Sequence, residues 1–352
     1  MRRATIREVA DRAEVSIGTV SAVINGKGTV KESTRSRVRA AIDALSYRPV
    51  EAARRRLQSP KEKSIGFIIK ELHNPYFADI IVGAQQAAEA HDYRVLTMSS
   101  EQRYELEREA VQALAGKDVE GIIINPLLTD EPDLAHLYAL RERHIPFVLL
   151  EGMRGDIPAS IVDVDNESAA REATDYLVSI GHREIVHLAG PRYSMHADER
   201  IDGVRKALVS AGSFLRPENL LHAGAALEDG YRAGMERFAG RTNGELPTAV
   251  TCFNDLVAIG LLRALTELGL RVPEDVSVVG FDDINVSRFL TVPLTTVRMP
   301  RNEMGRQSAE LLLRRMRQPI TAPPERITLG TELVVRASTR PVSPPEFSRS
   351  KS

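Results

Sequence analysis

The stretch TIREVADRAEVSIGTVSAVING, from Thr5 to Gly26, decides how the front of this chain is read. Thr5 is placed to cap a helix over Ile6–Ala13, with Glu8 three residues on as the matching acid of a capping box. Ile6, Val9, Ala10 and Ala13 share one face at helical spacing. Glu14 and Val15 then turn the chain, and Ser16 caps a second helix running to about Asn25. Val20, Val23 and Ile24 form its buried side, which leaves Ile17, Gly18, Ser21, Ala22 and Asn25 facing outward. Gly26-Lys27-Gly28-Thr29 breaks that helix, and Ser33 or Thr34 opens a third that ends near Leu45. Two short helices joined by a tight turn and buttressed by a third make a helix-turn-helix, whose second helix is narrow enough for the DNA major groove.

Charge points the same way. The whole chain of 352 residues has a net charge of −1, but residues 1–63 hold 15 Lys and Arg against 7 Asp and Glu, and the remainder holds 32 against 41. A small basic segment on a larger acidic body suits a nucleic-acid-binding module on a carrier; a solvated basic tail is the plain alternative. Hydrophobic residues at 43% and charged residues at 27% fit a folded globular protein. No uncharged apolar run approaches the roughly 18 residues of a membrane span, and the first residues lack the apolar core of a signal peptide, so a cytoplasmic location is expected. Cys252 is the single cysteine, which leaves no internal disulfide and no all-cysteine metal site.

The Thr5–Gly26 stretch and the later run Ala41-Ile42-Asp43-Ala44-Leu45-Ser46-Tyr47-Arg48-Pro49 resemble the lactose/galactose repressor family of bacterial transcription regulators. The likeness continues to about Pro341. It implies that positions 17, 18 and 22 read base edges, here Ile17, Gly18 and Ala22. Where the family often has a long polar or basic side chain, Ala22 cannot make a bidentate contact to guanine, while Ile17 and Ala22 can touch thymine methyl groups. Discrimination then shifts toward DNA shape and the linker. Thr5, Ser16, Thr19, Ser21, Asn25, Thr34 and Tyr47 complete the expected DNA-contacting set; all but Thr5 suit phosphate contacts, which fix register. A cap or surface role is the plain alternative for each hydroxyl.

The segment from Val50 to Gln58 resembles the family's hinge helix, in which a leucine wedges into the minor groove and arginines hold neighbouring phosphates. Leu57 is the candidate wedge, with Arg54 and Arg55 beside it. The interval from Tyr47 to Leu57 is one residue longer than the resemblance implies. Either the hinge holds an extra residue or Arg56 takes the wedge position; Leu57 is favoured because an arginine cannot replace an apolar wedge. A charged linker that never folds is the competing reading, and so short and polar a helix needs DNA and a partner chain to be stable.

From Ser64 onward, strand-like runs alternate with helical stretches. The strands are expected at 65–69, 94–98, 121–125, 146–150, 160–164, 185–189, 248–252 and 277–281. Helices are expected at 77–91, 105–115, 167–180, 199–211 and 256–268. This rhythm predicts parallel sheets covered on both faces, and a turn-rich break after Glu151 suggests two doubly wound lobes. The resemblance implies a periplasmic-binding-protein-like body whose chain crosses between lobes near 160, 290 and 325. The expected organisation is a helix-turn-helix domain over 1–49, a hinge over 50–63, a two-lobed effector-binding and dimerisation domain over 64–340, and a disordered tail over 341–352.

Ligands of such sheets bind beyond the carboxyl ends of the strands. That rule selects His73, Asn74, Pro75, Tyr76 and Phe77 after the first strand, and Ser99, Asn125, Glu151, Asp163, Val164, Asp165, Asn254, Asp255, Asp282 and Asp283 after others. The resemblance matches Asn74, Phe77, Glu151, Arg200 and Asp282 to positions lining an effector pocket. Carboxylates and an arginine suit the paired hydroxyls of a sugar, and Phe77 or Phe253 suits stacking on a sugar ring. The structural alternatives are helix caps for Asn74, Asp165 and Asp255, with caps favoured for the last two, and a surface ion pair of Arg200 with Asp198, Glu199 or Asp202.

The scattered histidines form no H-E-x-x-H pair, and neither a phosphate loop nor a nucleophile elbow occurs, so no catalytic role, cofactor or metal is expected. The expected function is a ligand-responsive, sequence-specific regulator, a repressor acting as a homodimer on a palindromic operator under a sugar-like effector. The alternative is a sugar-binding protein of transport-receptor type; the DNA-reading front and the missing export signal weigh against it. The proline-rich tail has no leucine heptads, so no tail-mediated tetramer is expected.

Overall fold

A computed structural model describes residues 4–24, 30–45, 47, 63–116, 119–127, 133–152, 157–240, 246–319 and 321–342. Asn25, the hinge residues Arg54, Arg55 and Leu57, and positions 343–352 lie outside the described residues. The chain divides into two compact units, Met1–Glu62 and Lys63–Ser352.

The first unit holds α1 (Ile6–Ala13), α2 (Ile17–Ile24) and α3 (Glu32–Ala44). Thr5 caps α1 in a complete capping box with Glu8, and the Thr5 N–H donates to Glu8 Oε2 at 2.7 Å. Glu14 closes α1 in a left-handed conformation at φ 53°, its N–H returning to the carbonyls of Ala10 and Asp11. The Ser16 hydroxyl accepts from the Thr19 N–H at 3.2 Å and so satisfies an orphan donor at the start of α2. One difference concerns α3. It begins at Glu32 after Lys31, with no side-chain cap, rather than at Ser33 or Thr34. Thr34 lies inside the first turn, its N–H bonded to the Lys31 carbonyl, and Glu32 faces the positive end of the helix dipole. Val9, Ala10, Ala13, Val20, Val38, Ala41 and Tyr47 form the small core.

The second unit contains two six-stranded sheets. The first lobe's sheet has the order β11-β5-β4-β3-β1-β2, built from β1 (Lys63–Ile69), β2 (Tyr93–Ser99), β3 (Ile122–Ile124), β4 (Phe147–Leu150), β5 (Ser160–Val164) and β11 (Arg326–Leu329). All its pairings are parallel; Phe67 on the central β1 lies opposite both Thr97 and Ile123. The second lobe's sheet has the order β12-β10-β9-β8-β6-β7, from β6 (Ile185–Ala189), β7 (Leu220–His222), β8 (Ala249–Cys252), β9 (Ser277–Asp282), β10 (Thr295–Arg298) and β12 (Glu332–Val334). Only the edge strand β12 runs antiparallel.

The covering helices are α4 (Tyr76–Glu89), α5 (Tyr104–Ala115), α6 (Ala135–Glu142), α7 (Asn166–Ser179), α8 (Met195–Ser210), α9 (Leu227–Phe238), α10 (Asp255–Glu267) and α11 (Arg301–Arg315). The central strands are buried runs such as Ile122–Ile124 and Phe147–Leu150, as sheets covered on both faces require, while the edge strands β2, β7, β11 and β12 are partly covered. Helices α4 and α11 cross with their backbones touching. A Cβ on Gly83 would lie 2.0 Å from the Asn302 carbonyl oxygen, and one on Gly305 would lie 1.9 Å from that of Ile80.

The chain crosses between lobes three times, as the resemblance implies, but at later points. It leaves the first sheet only after Val164, since β5 still belongs there, so the break after Glu151 is not the lobe boundary. The other crossings fall between β10 and β11, where α11 lies, and between Leu329 and Glu332. The body also extends past residue 340: the Val342 N–H donates to the Ile180 carbonyl at 3.0 Å.

Candidate effector cavity and nucleic-acid interface

In the first unit, Ile17 and Gly18 are exposed at the start of α2, and Ser21 and Ala22 are partly covered. Ile17 is a large apolar side chain left 41% exposed, on the face free of the core contacts that bury Val20. The hydroxyls of Ser16 and Thr19 lie 2.9 Å apart beside it. Tyr47 is buried in the unit's core.

Between the two sheets of the second unit lies a cavity of about 320 Å3. Its walls come from segments following the carboxyl ends of strands in both sheets, where open parallel sheets bind ligands. Asn74, Phe77, Glu151, Arg200, Phe253 and Asp282 line it. Ser99 and Asn125 do not. Ser99 Oγ turns back to Glu101, and Asn125 is buried beneath the wall, donating to Glu151 Oε2 at 2.8 Å and to the Leu150 carbonyl. Asn125 therefore holds a lining residue in place.

Tyr76 and Asn254, which the strand-end rule selects, line the cavity as well, and so do Lys70, Tyr104, Tyr193 and His196, for which the sequence offers no expectation. Lys70 follows β1 directly, so the strand-end rule started one residue earlier finds it. Tyr104 and His196 come from the first turns of α5 and α8, well past the ends of β2 and β6, and carry no comparable signal.

Glu151 is the best-held charge. Burial opposes its ionisation, but Lys70 at 3.5 Å, His196 at 4.0 Å and hydrogen bonds from Tyr76 and Asn125 outweigh that and hold its pKa at about 2. His196 Nε2 has no hydrogen-bond partner among the described residues and is buried at the wall. Arg200 is buried on α8. Its Nε donates to Asn166 Oδ1 at 3.0 Å, its Nη1 donates to the Phe253 carbonyl, and its guanidinium lies 3.6 Å from the Phe281 ring centre. Glu199 turns instead to Asn166 and His196, and Asp202 to Arg205. Burial drives the Asp282 pKa well above the ordinary carboxylate range and lowers that of Arg200, because their mutual attraction repays only part of the lost hydration.

The cap readings divide. Asp165 caps α7, accepting from the Ser168 N–H at 2.9 Å. Asp255 does not cap α10; Asn254 does. Asp255 is the first helical residue and is fully buried, accepting from the Ile284 N–H and from the hydroxyls of Ser287 and Thr296. Asn74 Oδ1 accepts from the Tyr76 N–H at the entry to α4. Among the described residues no His, Cys, Asp and Glu cluster has a metal-holding arrangement, and no helix is long and apolar enough to cross a membrane.

A helix-turn-helix unit followed by a two-lobed α/β body with a cavity of charged and aromatic side chains between its sheets defines a ligand-binding transcription regulator. Residues 5–50 match the family model described as bacterial regulatory proteins, lacI family, and residues 174–339 match the periplasmic binding protein-like domain. The HTH-type transcriptional repressor PurR of Haemophilus influenzae (strain PittEE) is 34% identical over 96% of this chain and 99% of its own length. The chain belongs to the lacI family of bacterial regulatory proteins. A transcriptional regulator CelR–cellobiose complex superposes with a TM-score of 0.70 at 32% identity, over 96% of this chain and 100% of the other. The lac repressor dimer bound to operator and the anti-inducer ONPF gives a TM-score of 0.69 at 29% identity, with the same coverage.

Proposed function

We propose that this protein is a repressor that binds a palindromic operator as a homodimer and answers to a small hydroxyl-rich effector, a sugar or sugar derivative, in the inter-lobe cavity. The observation that carries this reading is the pairing of charge with aromatic surface in that cavity. Asp282, Glu151, Arg200 and Lys70 offer acceptors and donors, while Phe77, Phe253, Tyr104 and Tyr193 offer ring faces. Vicinal hydroxyls above a flat C–H face match both. A cavity of about 320 Å3 is large enough for a small sugar, and cellobiose occupies one structural relative.

A dimer follows from the DNA side. One recognition helix reads one half-site, so two copies related by a two-fold axis read a palindrome. In such a dimer Ile17, Gly18 and Ala22 meet base edges, Ser16, Thr19 and Ser21 meet phosphates, and Leu57, with Arg54 and Arg55, supplies the minor-groove wedge. Effector binding changes the lobe angle, and hinge folding follows it.

The test joins both halves. Fluorescence anisotropy on fragments of its own genome gives saturable, salt-sensitive, sequence-selective binding. A thermal-shift screen of sugars, sugar acids, polyols and nucleobases finds the effector as a ligand that raises the melting midpoint. Asp282→Ala abolishes the effector response and leaves operator affinity intact; an unchanged dose-response removes Asp282 from the site. Equal affinity for every fragment, with or without ligands, overturns the regulator reading.

A further inference from the structure

Arg301 is the first residue of α11, just after the chain passes from the second lobe into the first. It is 7% exposed. Its guanidinium donates in two directions. Nη1 donates to the Asp282 carbonyl at 2.6 Å, at the end of β9 in the second lobe. Nη2 and Nε donate to Asp79 Oδ2 at 2.7 and 3.2 Å, on α4 in the first lobe.

Both partners belong to segments that line the cavity. Asp282 lines the cavity with its side chain, and its backbone is held at φ 116°, a region that residues with a Cβ rarely occupy. Such a conformation persists only where the surroundings over-determine it, and the Arg301 hydrogen bond to its carbonyl is one such restraint. Asp79 lies in the first turn of α4, the turn that presents Tyr76 and Phe77 to the same cavity. The planar fork of an arginine can satisfy a carbonyl and a carboxylate at once in fixed geometry; a lysine ammonium lacks that rigidity.

We propose that Arg301 is a positioning residue that ties the two cavity walls together from behind, setting the angle between the lobes and the aim of the Asp282 carboxylate. What it transmits rests on the reading of the cavity as the effector site. The tie itself is a property of the lobes, and it is tested without ligand or DNA.

The experiment is a pulsed electron–electron distance measurement on the full chain. Nitroxides are placed at Glu109→Cys in the first lobe and Val209→Cys in the second, both exposed positions. The native Cys252 is buried and stays unlabelled. Labelled chain is diluted with unlabelled chain, so that distances within one chain are read. The expected result is a narrow distribution in the parent and a broader, displaced one in Arg301→Gln. Asp79→Asn gives the same change, and combining the two adds nothing further. Arg301→Lys behaves like Arg301→Gln, because charge without the fork does not bridge. A parent-like distribution in Arg301→Gln overturns the proposal, as does full rescue by lysine or an additive effect of the two substitutions. Should Arg301→Gln fail to fold by circular dichroism, Asp79→Asn, at a half-exposed carboxylate, decides alone: a parent-like distribution there overturns the proposal and a broadened one supports it. Loss of the tie with intact operator binding, or the reverse, separates this inference from the regulator reading.

Discussion

Glu151 Oε2 in the first lobe lies 4.0 Å from His196 Nε2 in the second, so the most firmly ionised carboxylate of the cavity reaches across the cleft. Its folded pKa of about 2 lies below the ordinary 4.5 despite burial, through Lys70, His196, Tyr76 and Asn125. A depressed carboxylate pKa stabilises the fold above the unfolded value, and that stability is lost as pH falls from 4.5 toward 2. Glu151→Gln should therefore remove a contribution on the order of 3 kcal/mol at pH 7 and flatten the acid limb of the stability curve. Urea melts between pH 2 and 7 check this; parallel curves for parent and variant contradict it.

Asp255 carries the opposite sign. Burial raises its pKa from 3.8 to about 6, only partly countered by its bonds from Ser287, Thr296 and Ile284. A raised carboxylate pKa means that the folded state holds the proton more tightly. The stability it lends is complete below pH 3.8 and is lost as pH rises through about 6. Asp255→Asn keeps an acceptor for the Ile284 N–H and removes the charge. The stability difference between variant and parent should shift in the variant's favour by up to about 3 kcal/mol between pH 4 and pH 7. A difference that does not change with pH sinks the assignment.

The crossing of α4 and α11 leaves no room for a side chain at Gly305, where a Cβ would lie 1.9 Å from the Ile80 carbonyl oxygen. Gly305→Ala gains helix propensity but forces two backbones apart, so a net loss of about 1–3 kcal/mol is expected. Chemical denaturation measures it. An unchanged midpoint shows that the helices separate at no cost.

On the DNA side, Ile17 and Ser16 should respond differently. Ile17→Ser removes an apolar contact to bases and relaxes sequence preference while non-specific affinity holds. Ser16→Ala removes both the α2 cap and the proposed phosphate contact, costing about 1 kcal/mol of the first unit's stability and weakening binding to all sequences alike. Anisotropy titrations on a matched and a scrambled operator separate the two. Identical losses on both DNAs for Ile17→Ser remove it from base readout.

Local chemistry was legible in the sequence wherever it acts within a few residues. The capping box of Thr5 and Glu8, the periodic apolar face of α1 and the unbroken apolar runs of β3 and β4 each follow from side chains that interact with their own segment. The short strands β7, β10, β11 and β12 and the helices α6, α9 and α11 are not among the expected elements. Three residues or a half-exposed edge carry little periodic signal, and α11 is rich in arginine and glutamate even on turns that bury Met304 and Leu312.

The sequence by itself determined the helix-turn-helix, the alternation of strands and helices, and the strand ends at which Phe77, Glu151, Phe253 and Asp282 stand. Only the tertiary structure decided which of those ends face one another. Asn125 sits beneath the wall, Asp255 became a buried acceptor, and His196 and Arg301 joined the two lobes, because their partners come from strands and helices far along the chain. Desolvation and the geometry of distant partners, which no local spacing encodes, set both their positions and their charges.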